Sequence, residues 1–179
     1  MPLVVLEGAD GSGKSTLAHK LLKGTGQPTL LVKRSGPPGS IETLVFMSEW
    51  LSQQGRIGLN IIADRHPIIS EAIYGPVVRK APGPYWSMED AYRALKRHNI
   101  LLVYCRTDMG KLLEGAQQED QMAGVHQYYW DLVKEYDRWM DYFQDKGIAF
   151  YQYNWANDQD ATKAIKNIRT FWEGKWKID

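Results

Sequence analysis

Residues 8 to 16 read Gly-Ala-Asp-Gly-Ser-Gly-Lys-Ser-Thr, between a short apolar run, Leu3 to Leu6, and a helical pattern. The stretch matches G-x-x-x-x-G-K-[ST] in full, with Gly8, Gly13, Lys14 and Ser15 at the fixed positions. A strand that turns through a glycine loop into a helix is the setting a phosphate cradle requires. Glycines let the backbone bend so that successive N–H groups face one anion. The helix opening near Lys14 adds its own unpaired N–H groups and the positive end of its dipole. Lys14 brings a mobile charge for the outer phosphates, the Ser15 hydroxyl can ligate Mg2+, and Gly11, Ser12 and Thr16 complete the loop. The plain alternative is a glycine-rich turn with a chance lysine, which gives no reason for the register between strand and helix. The loop specifies a nucleoside triphosphate and Mg2+ but not the reaction.

Apolar runs alternate with helical patterns along the rest of the chain, without repeats, low-complexity tracts or an obvious linker. Strands are expected at about Leu3 to Leu6, Thr29 to Lys33, Leu59 to Ala63, Ile100 to Cys105 and Ile148 to Tyr153. Helices are expected at Lys14 to Lys23, Ser40 to Gln53, and Ile68 to about Gly75-Pro76. Others follow at Ser87 to Arg97, Met109 to Leu113, Val125 to Lys146 and Asp158 to Trp172. Ser40 reads as an N-cap and Ser87-Met88-Glu89-Asp90 as a capping box. Strands alternating with helices imply an α/β protein, a five-stranded parallel sheet flanked by helices on both faces. Ligands in such folds bind beyond the carboxyl ends of the strands. That rule singles out Asp10, Arg34, Asp64, Arg65, Arg106 and the stretch Asn154 to Asp158.

A chain of 179 residues suits one domain, 1–179, with a polar segment at about 108–126 between the fourth strand and the long helix. The net charge of +1 gives no broad electrostatic case for binding nucleic acid or a membrane surface. The lone Cys105 excludes an internal disulfide and reads as inert core. No basic leader and no apolar stretch near the ~20 residues of a membrane span is visible. A soluble, cytoplasmic protein is the expectation. His19, His66, His98 and His126 lack zinc-like spacing, so no protein-ligated transition metal is expected.

Asp64-Arg65-His66 ends the third strand. The Asp64 carboxylate can orient Mg2+ or its water shell, and Arg65 offers a planar fork for a second phosphate. Arg34, at the end of the second strand, points to the same space. The plain alternative is an Asp–Arg pair bonded to nearby backbone in a turn.

Here the chain resembles the thymidylate kinase family of P-loop nucleoside monophosphate kinases. The likeness rests on Leu6-Glu-Gly-Ala-Asp-Gly-Ser-Gly-Lys-Ser-Thr16, on Asp64-Arg65-His66, on Ser70-Glu71-Ala72-Ile73-Tyr74, and on Tyr153-Asn154-Trp155-Ala156-Asn157-Asp158. The short length and the Ser-Glu-x-x-Tyr-Gly-Pro wording are most like bacteriophage versions. The resemblance implies the P-loop NTPase fold, a lid over residues 108–126, and transfer of the ATP γ-phosphoryl group to a deoxynucleoside monophosphate, with dTMP first among acceptors. It implies that Lys14 grips the transferring phosphate, that Ser15 and Asp64 serve Mg2+, and that Asp10 meets the acceptor's 3′-hydroxyl. By the same resemblance Arg65 and Arg34 hold the acceptor phosphate and Tyr74 packs on the deoxyribose. Ser70 lies on the acceptor side, and Asn157 in the loop that holds the donor adenine. A homodimer is also implied, and the aromatic set Tyr128, Tyr129, Trp130, Tyr136 and Trp139 exceeds one buried helix face. Two other functions remain open, a deoxynucleoside kinase and a regulatory P-loop ATPase.

The chain departs from the family at its positive charges. One family variant carries an arginine in the loop, where this chain has Gly11; the other carries arginines in the lid, where this chain has none and is acidic. A phosphoryl transition state needs positive charge. The substitutes are Arg106, then Arg79, Lys80 and Lys111. Arg106 reads equally as a surface salt bridge; as a catalytic charge, Arg106→Ala should cost at least ~10²-fold in kcat. Phe46 and Trp50, i,i+4 on one helix, can stack on the acceptor base or pack as core, and Arg79 can donate to a base carbonyl.

Overall fold

Leu3, Val4, Val5, Leu6 and Glu7 form a strand buried on both faces, and its neighbours decide the architecture. The computed structural model describes residues 3–33, 49–50, 53, 60–80, 87–117, 125–157 and 159–175. Strand β1 (Leu3–Glu7) is followed by α1 (Lys14–Gly24), β2 (Thr29–Lys33), β3 (Asn60–Asp64) and α2 (Pro67–Tyr74). Then come α3 (Met88–Lys96), β4 (Ile100–Cys105), α4 (Met109–Gln117), α5 (Tyr129–Asp145), β5 (Ala149–Tyr153) and α6 (Asp160–Trp172). The sheet is five-stranded and parallel, in the order β2-β3-β1-β4-β5. Leu3 stands opposite Ile61 on one side and Ile100 on the other.

Successive strand side chains point to opposite faces, and two cores result. Leu3, Val5, Ile61, Ala63, Leu102 and Tyr104 pack with residues of α2, α3 and α5, including Ile69, Leu95, Tyr136 and Phe143. Val4, Leu6, Ile62, Leu101, Val103 and Cys105 pack with Leu17 and Leu21 of α1 and with Ile168 and Phe171 of α6. The central strands β1, β3 and β4 are buried throughout, while the edge strands β2 and β5 are largely half-buried. From β1 the chain builds β2 and β3 on one side and β4 and β5 on the other. The crevice at the carboxyl end of β1 is therefore the switch point where open α/β sheets bind ligands. This is the five-stranded parallel sheet flanked by helices that the alternation implies.

Several boundaries differ from expectation. The helix expected to stop near Gly75-Pro76 instead passes into a π-helical turn, Gly75–Arg79; Pro76 sits in that turn's first positions, where a missing N–H is tolerated. The short helix after β4 runs to Gln117 rather than Leu113, and the long helix opens at Tyr129, after a turn over residues 125–128. The last helix opens at Asp160. Of the helix expected over Ser40 to Gln53, Glu49, Trp50 and Gln53 are helical; Ser40, Arg34 and Phe46 lie outside the described residues, as do Asp158 and residues 118–124 of the lid. Among the described residues, no helix is long and apolar enough to cross a membrane.

Candidate functional site

The loop between β1 and α1 is shaped by glycines that no other residue replaces cheaply. Gly13 has φ 82, and a Cβ there would lie 2.8 Å from the Trp155 ring. Gly13 also caps α1, and no side chain bonds the helix's first N–H groups, which leaves them for an anion. Lys14 is buried. Its Nζ donates to the carbonyls of Gly8 (3.0 Å) and Ala9 (2.6 Å) and to Ser12 Oγ (3.2 Å), so the charge lies along the loop's inner wall. Burial lowers the Lys14 pKa, as does the Arg65 guanidinium, while Asp10 and Asp64 oppose the shift. Thr16 is exposed on the first turn of α1.

Ser15 Oγ donates to Asp64 Oδ2 at 3.3 Å. A hydroxyl and a carboxylate thus stand together beside the loop, a hard-oxygen donor set that fits Mg2+. Among the described residues no group of three or more His, Cys, Asp or Glu forms a metal cage.

Arg65 follows β3 with φ 76, a left-handed conformation that is uncommon and costly for a side chain of this size. Two anchors hold it. Its backbone N donates to Leu6 O at 3.0 Å, and the next N–H, of His66, donates to Glu7 Oε1 at 2.6 Å. The turn directs the guanidinium at the loop, where Nη2 pairs with Asp10 Oδ1. Nη1 donates to the Tyr136 hydroxyl at 2.7 Å, and that hydroxyl donates to Glu7 Oε2 at 3.2 Å. Cζ lies 4.8 Å from the centre of the Tyr74 ring, and Tyr74 OH donates to Asp10 Oδ2 at 3.0 Å. Tyr129 OH adds a bond to Asp10 O at 2.7 Å. Glu7 is fully buried, and burial pushes its carboxyl up to about 7 against the opposing pull of Arg65.

Glu7, Tyr136 and Tyr129 were not singled out from the sequence. Glu7 ends β1, one residue past the apolar run, and the two tyrosines read as helix-face aromatics. Of the aromatic set on the long helix, Tyr129, Tyr136 and Trp139 are buried and Trp130 is exposed.

The remaining expected residues separate into those near the loop and those elsewhere. Ser70 is buried one turn before Tyr74 on α2. Arg79 pairs with Glu71. Trp50 is half-buried against the α2–α5 core. Arg106 is held at the end of β4 by Asp137, with Nε at 2.9 Å from Oδ1 and Nη2 at 3.3 Å from Oδ2, and it also meets Thr107 O and Met109 Sδ. Its fork faces α5 in the salt-bridge arrangement. Lys80 lies over the Tyr128 ring. Asn157 belongs to a tight turn after β5, where its N donates to Asn154 O (3.1 Å) and its Oδ1 accepts from Gln159 N (3.1 Å). Trp155 of that turn rests on Gly13. Cys105 is buried and its thiol is pushed up to about 12 by that burial, which leaves it unreactive.

No protein-family profile and no curated protein matches the sequence. Solved structures do match in fold. The YorR protein of Bacillus subtilis, in complex with phosphorylated GDP, superposes with a TM-score of 0.71 at 20% identity, over 98% of this chain and 99% of that one. Thymidylate kinase of Candida albicans gives 0.62 at 20%, over 99% and 94%. Deoxyadenosine kinase of M. mycoides with bound dATP gives 0.55 at 16%, over 92% and 97%. At these identities the likeness establishes the fold alone.

Proposed function

We propose that the chain is a nucleoside monophosphate kinase that transfers the γ-phosphoryl group of ATP to a deoxynucleoside monophosphate, with dTMP the first acceptor to test. The observation that carries this is the aim of Arg65. Its guanidinium points at the phosphate loop and is fixed there by Asp10 and Tyr136. A rigid fork facing a phosphate cradle suits a second anion; a deoxynucleoside kinase would use such an acid–Arg pair differently, with a general base near the acceptor hydroxyl. The fold, shared with a thymidylate kinase and with a deoxyadenosine kinase, supports a nucleotide kinase and leaves the choice of acceptor to Arg65.

In this reading Lys14 exchanges its carbonyl contacts for the transferring phosphate. Ser15 and Asp64 would hold Mg2+, which would supply charge neutralisation for the phosphates of ATP. Arg65 and Arg34 bind the acceptor phosphate, Asp10 meets the sugar hydroxyl, and Tyr74 packs on the sugar. Ser70, Arg79, Phe46 and Trp50 are assigned to the acceptor, and the Asn157 turn to the donor adenine. A bond forms from an acceptor phosphate oxygen to the γ-phosphorus as the bond to the β–γ bridging oxygen breaks, and the electron pair leaves on ADP. An acceptor entering as a dianion has no proton to lose, so positioning and charge neutralisation carry the catalysis. A homodimer belongs to the same proposal and is read by sedimentation equilibrium.

A coupled assay with dTMP, dGMP, dAMP, dCMP and thymidine tests it. ADP release that depends on a monophosphate and is absent with thymidine is the expected result. Turnover of thymidine itself makes the protein a deoxynucleoside kinase. Slow hydrolysis indifferent to every acceptor makes it a regulatory ATPase.

A further inference from the structure

We propose that Glu7 is a positioning residue for the acceptor phosphate: its two oxygens hold the Arg65 turn and the Arg65 guanidinium as one unit, so that the fork is already aimed when an anion arrives. This rests on the kinase reading above. Glu7 ends the central strand β1 and is fully buried, so it touches no substrate and acts through what it bonds. A carboxylate out of water is tolerated where its oxygens are bonded. Both Glu7 oxygens are bonded, and both bonds lead to Arg65.

The first bond fixes the backbone. Arg65 keeps φ 76, a conformation that persists only where its surroundings over-determine it. The N–H groups on either side of its Cα are tied to β1, Arg65 N to Leu6 O and His66 N to Glu7 Oε1. Leu6 supplies a backbone carbonyl, as any residue would. Glu7 supplies a side-chain oxygen, so this half of the clamp depends on the residue. Without it the peptide after Arg65 is free to turn, and the guanidinium swings with it.

The second bond fixes the guanidinium. Tyr136 OH accepts from Arg65 Nη1 at 2.7 Å and donates to Glu7 Oε2 at 3.2 Å. The Tyr136 ring is itself held, stacked on Tyr104 at 6.4 Å and edge-on to Tyr74 at 6.1 Å. Tyr104 OH in turn donates to Asp137 Oδ1 at 2.5 Å, on the residue that follows Tyr136 in α5. The chain of bonds has a direction. An ionised carboxylate only accepts, so the Tyr136 proton points at Glu7 and a phenol lone pair faces Arg65. Glu7→Gln keeps the shape and breaks this order. With the amide oxygen on the His66 N–H, the NH2 group meets the phenol oxygen and the Tyr136 proton loses its acceptor. With the amide turned over, the NH2 group opposes the His66 N–H. One of the two ties fails either way.

The test is a double-mutant cycle on Glu7→Gln and Arg65→Met, run at about pH 8, where Glu7, which ionises at about 7, is a carboxylate. The readout is kcat/KM for whichever monophosphate the wild type accepts, with the ATP Kd taken from equilibrium titration and Tm recorded for each protein. Glu7→Gln should lower kcat/KM about tenfold, the scale for losing one hydrogen bond to a charged group. The ATP Kd should stay within about threefold, because the fork serves the acceptor. In the Arg65→Met background the same substitution should cost less than about twofold, since the group it positions is gone. A merely structural role lowers kcat/KM equally in both backgrounds. Equal losses in the two backgrounds, an ATP Kd that weakens as much as kcat/KM falls, or near wild-type kcat/KM in Glu7→Gln overturns the role. If Glu7→Gln does not fold, Tyr136→Phe takes its place in the cycle, with the same expected and contrary results; it leaves the His66 bond intact and removes the guanidinium tie. A wild type that transfers to no monophosphate removes the kinase reading itself, and the role with it; a wild type that transfers while Glu7→Gln is unaffected removes the role alone.

Discussion

Arg65 is held in two ways, through its backbone and through its guanidinium, and Glu7 is behind both. One Glu7 oxygen takes the His66 N–H just after the left-handed residue; the other takes the Tyr136 hydroxyl that receives Arg65 Nη1. A carboxylate in this position has a signature in pH. Glu7 titrates near 4.5 in the open chain and near 7 in the fold. Between those values the folded state holds a proton that the unfolded state has lost, so stability falls as pH rises from about 5 to about 8, by on the order of 3 kcal/mol at most. Glu7→Gln lacks this component. Its Tm relative to wild type should therefore climb across that range, and parallel Tm curves would show that burial does not perturb Glu7. Arg65→Met should lower kcat/KM for the monophosphate at least ~10²-fold and leave ATP affinity nearly unchanged. It should also destabilise the fold, because Asp10 is left without its cation. None of this coupling was legible in sequence. Tyr136 lies 129 positions from Glu7, and only the packing of α5 on the sheet brings them together.

At the scale of elements, α4 is the segment whose role changed most between sequence and structure. It opens the arginine-free stretch Lys111 to Gly124, whose net acidity argued against a phosphate cover. A Cβ on Gly115 would lie 2.5 Å from Gly11 O, so α4 lies on the loop nonetheless. Gly115→Ala should force α4 and the loop apart, costing about 1–3 kcal/mol by overpacking against backbone that cannot rotate away, and should lower kcat; an unchanged Tm and kcat would mean the contact yields freely. At α3 the expectation is simpler. Ser87 Oγ accepts from Asp90 N at 3.1 Å, and Ser87→Ala should cost about 1 kcal/mol, read as a fall in Tm without change in kcat. Strands β2 and β4 and the start of α1 were legible to the residue, because an apolar run between turns and a phosphate-loop motif are local signals. The π turn after Tyr74 was not, since a proline two residues past a helix reads as a stop whether the coil ends or widens.

Across the whole molecule, the order β2-β3-β1-β4-β5 puts the ends of β1 and β3 side by side, and with them the loop and Arg65. Alternating strands and helices with ligand-type residues at strand ends pointed to the carboxyl edge of the sheet, but the order that sets β1 beside β3 is not a local signal, and neither is the wiring among Asp10, Arg65, Tyr136 and Glu7. The proposal that Lys14 and Arg65 each hold an anion across one cleft makes a direct physical prediction. A dinucleoside pentaphosphate joining adenosine to deoxythymidine should engage both at once and gain from the linkage. Isothermal titration of this compound should give a Kd at least ~10²-fold below that of ATP, and Lys14→Ala and Arg65→Met should each abolish the gain. Affinity no better than that of ATP, or an Arg65→Met protein that binds the compound as well as wild type, would contradict the two-anion cleft.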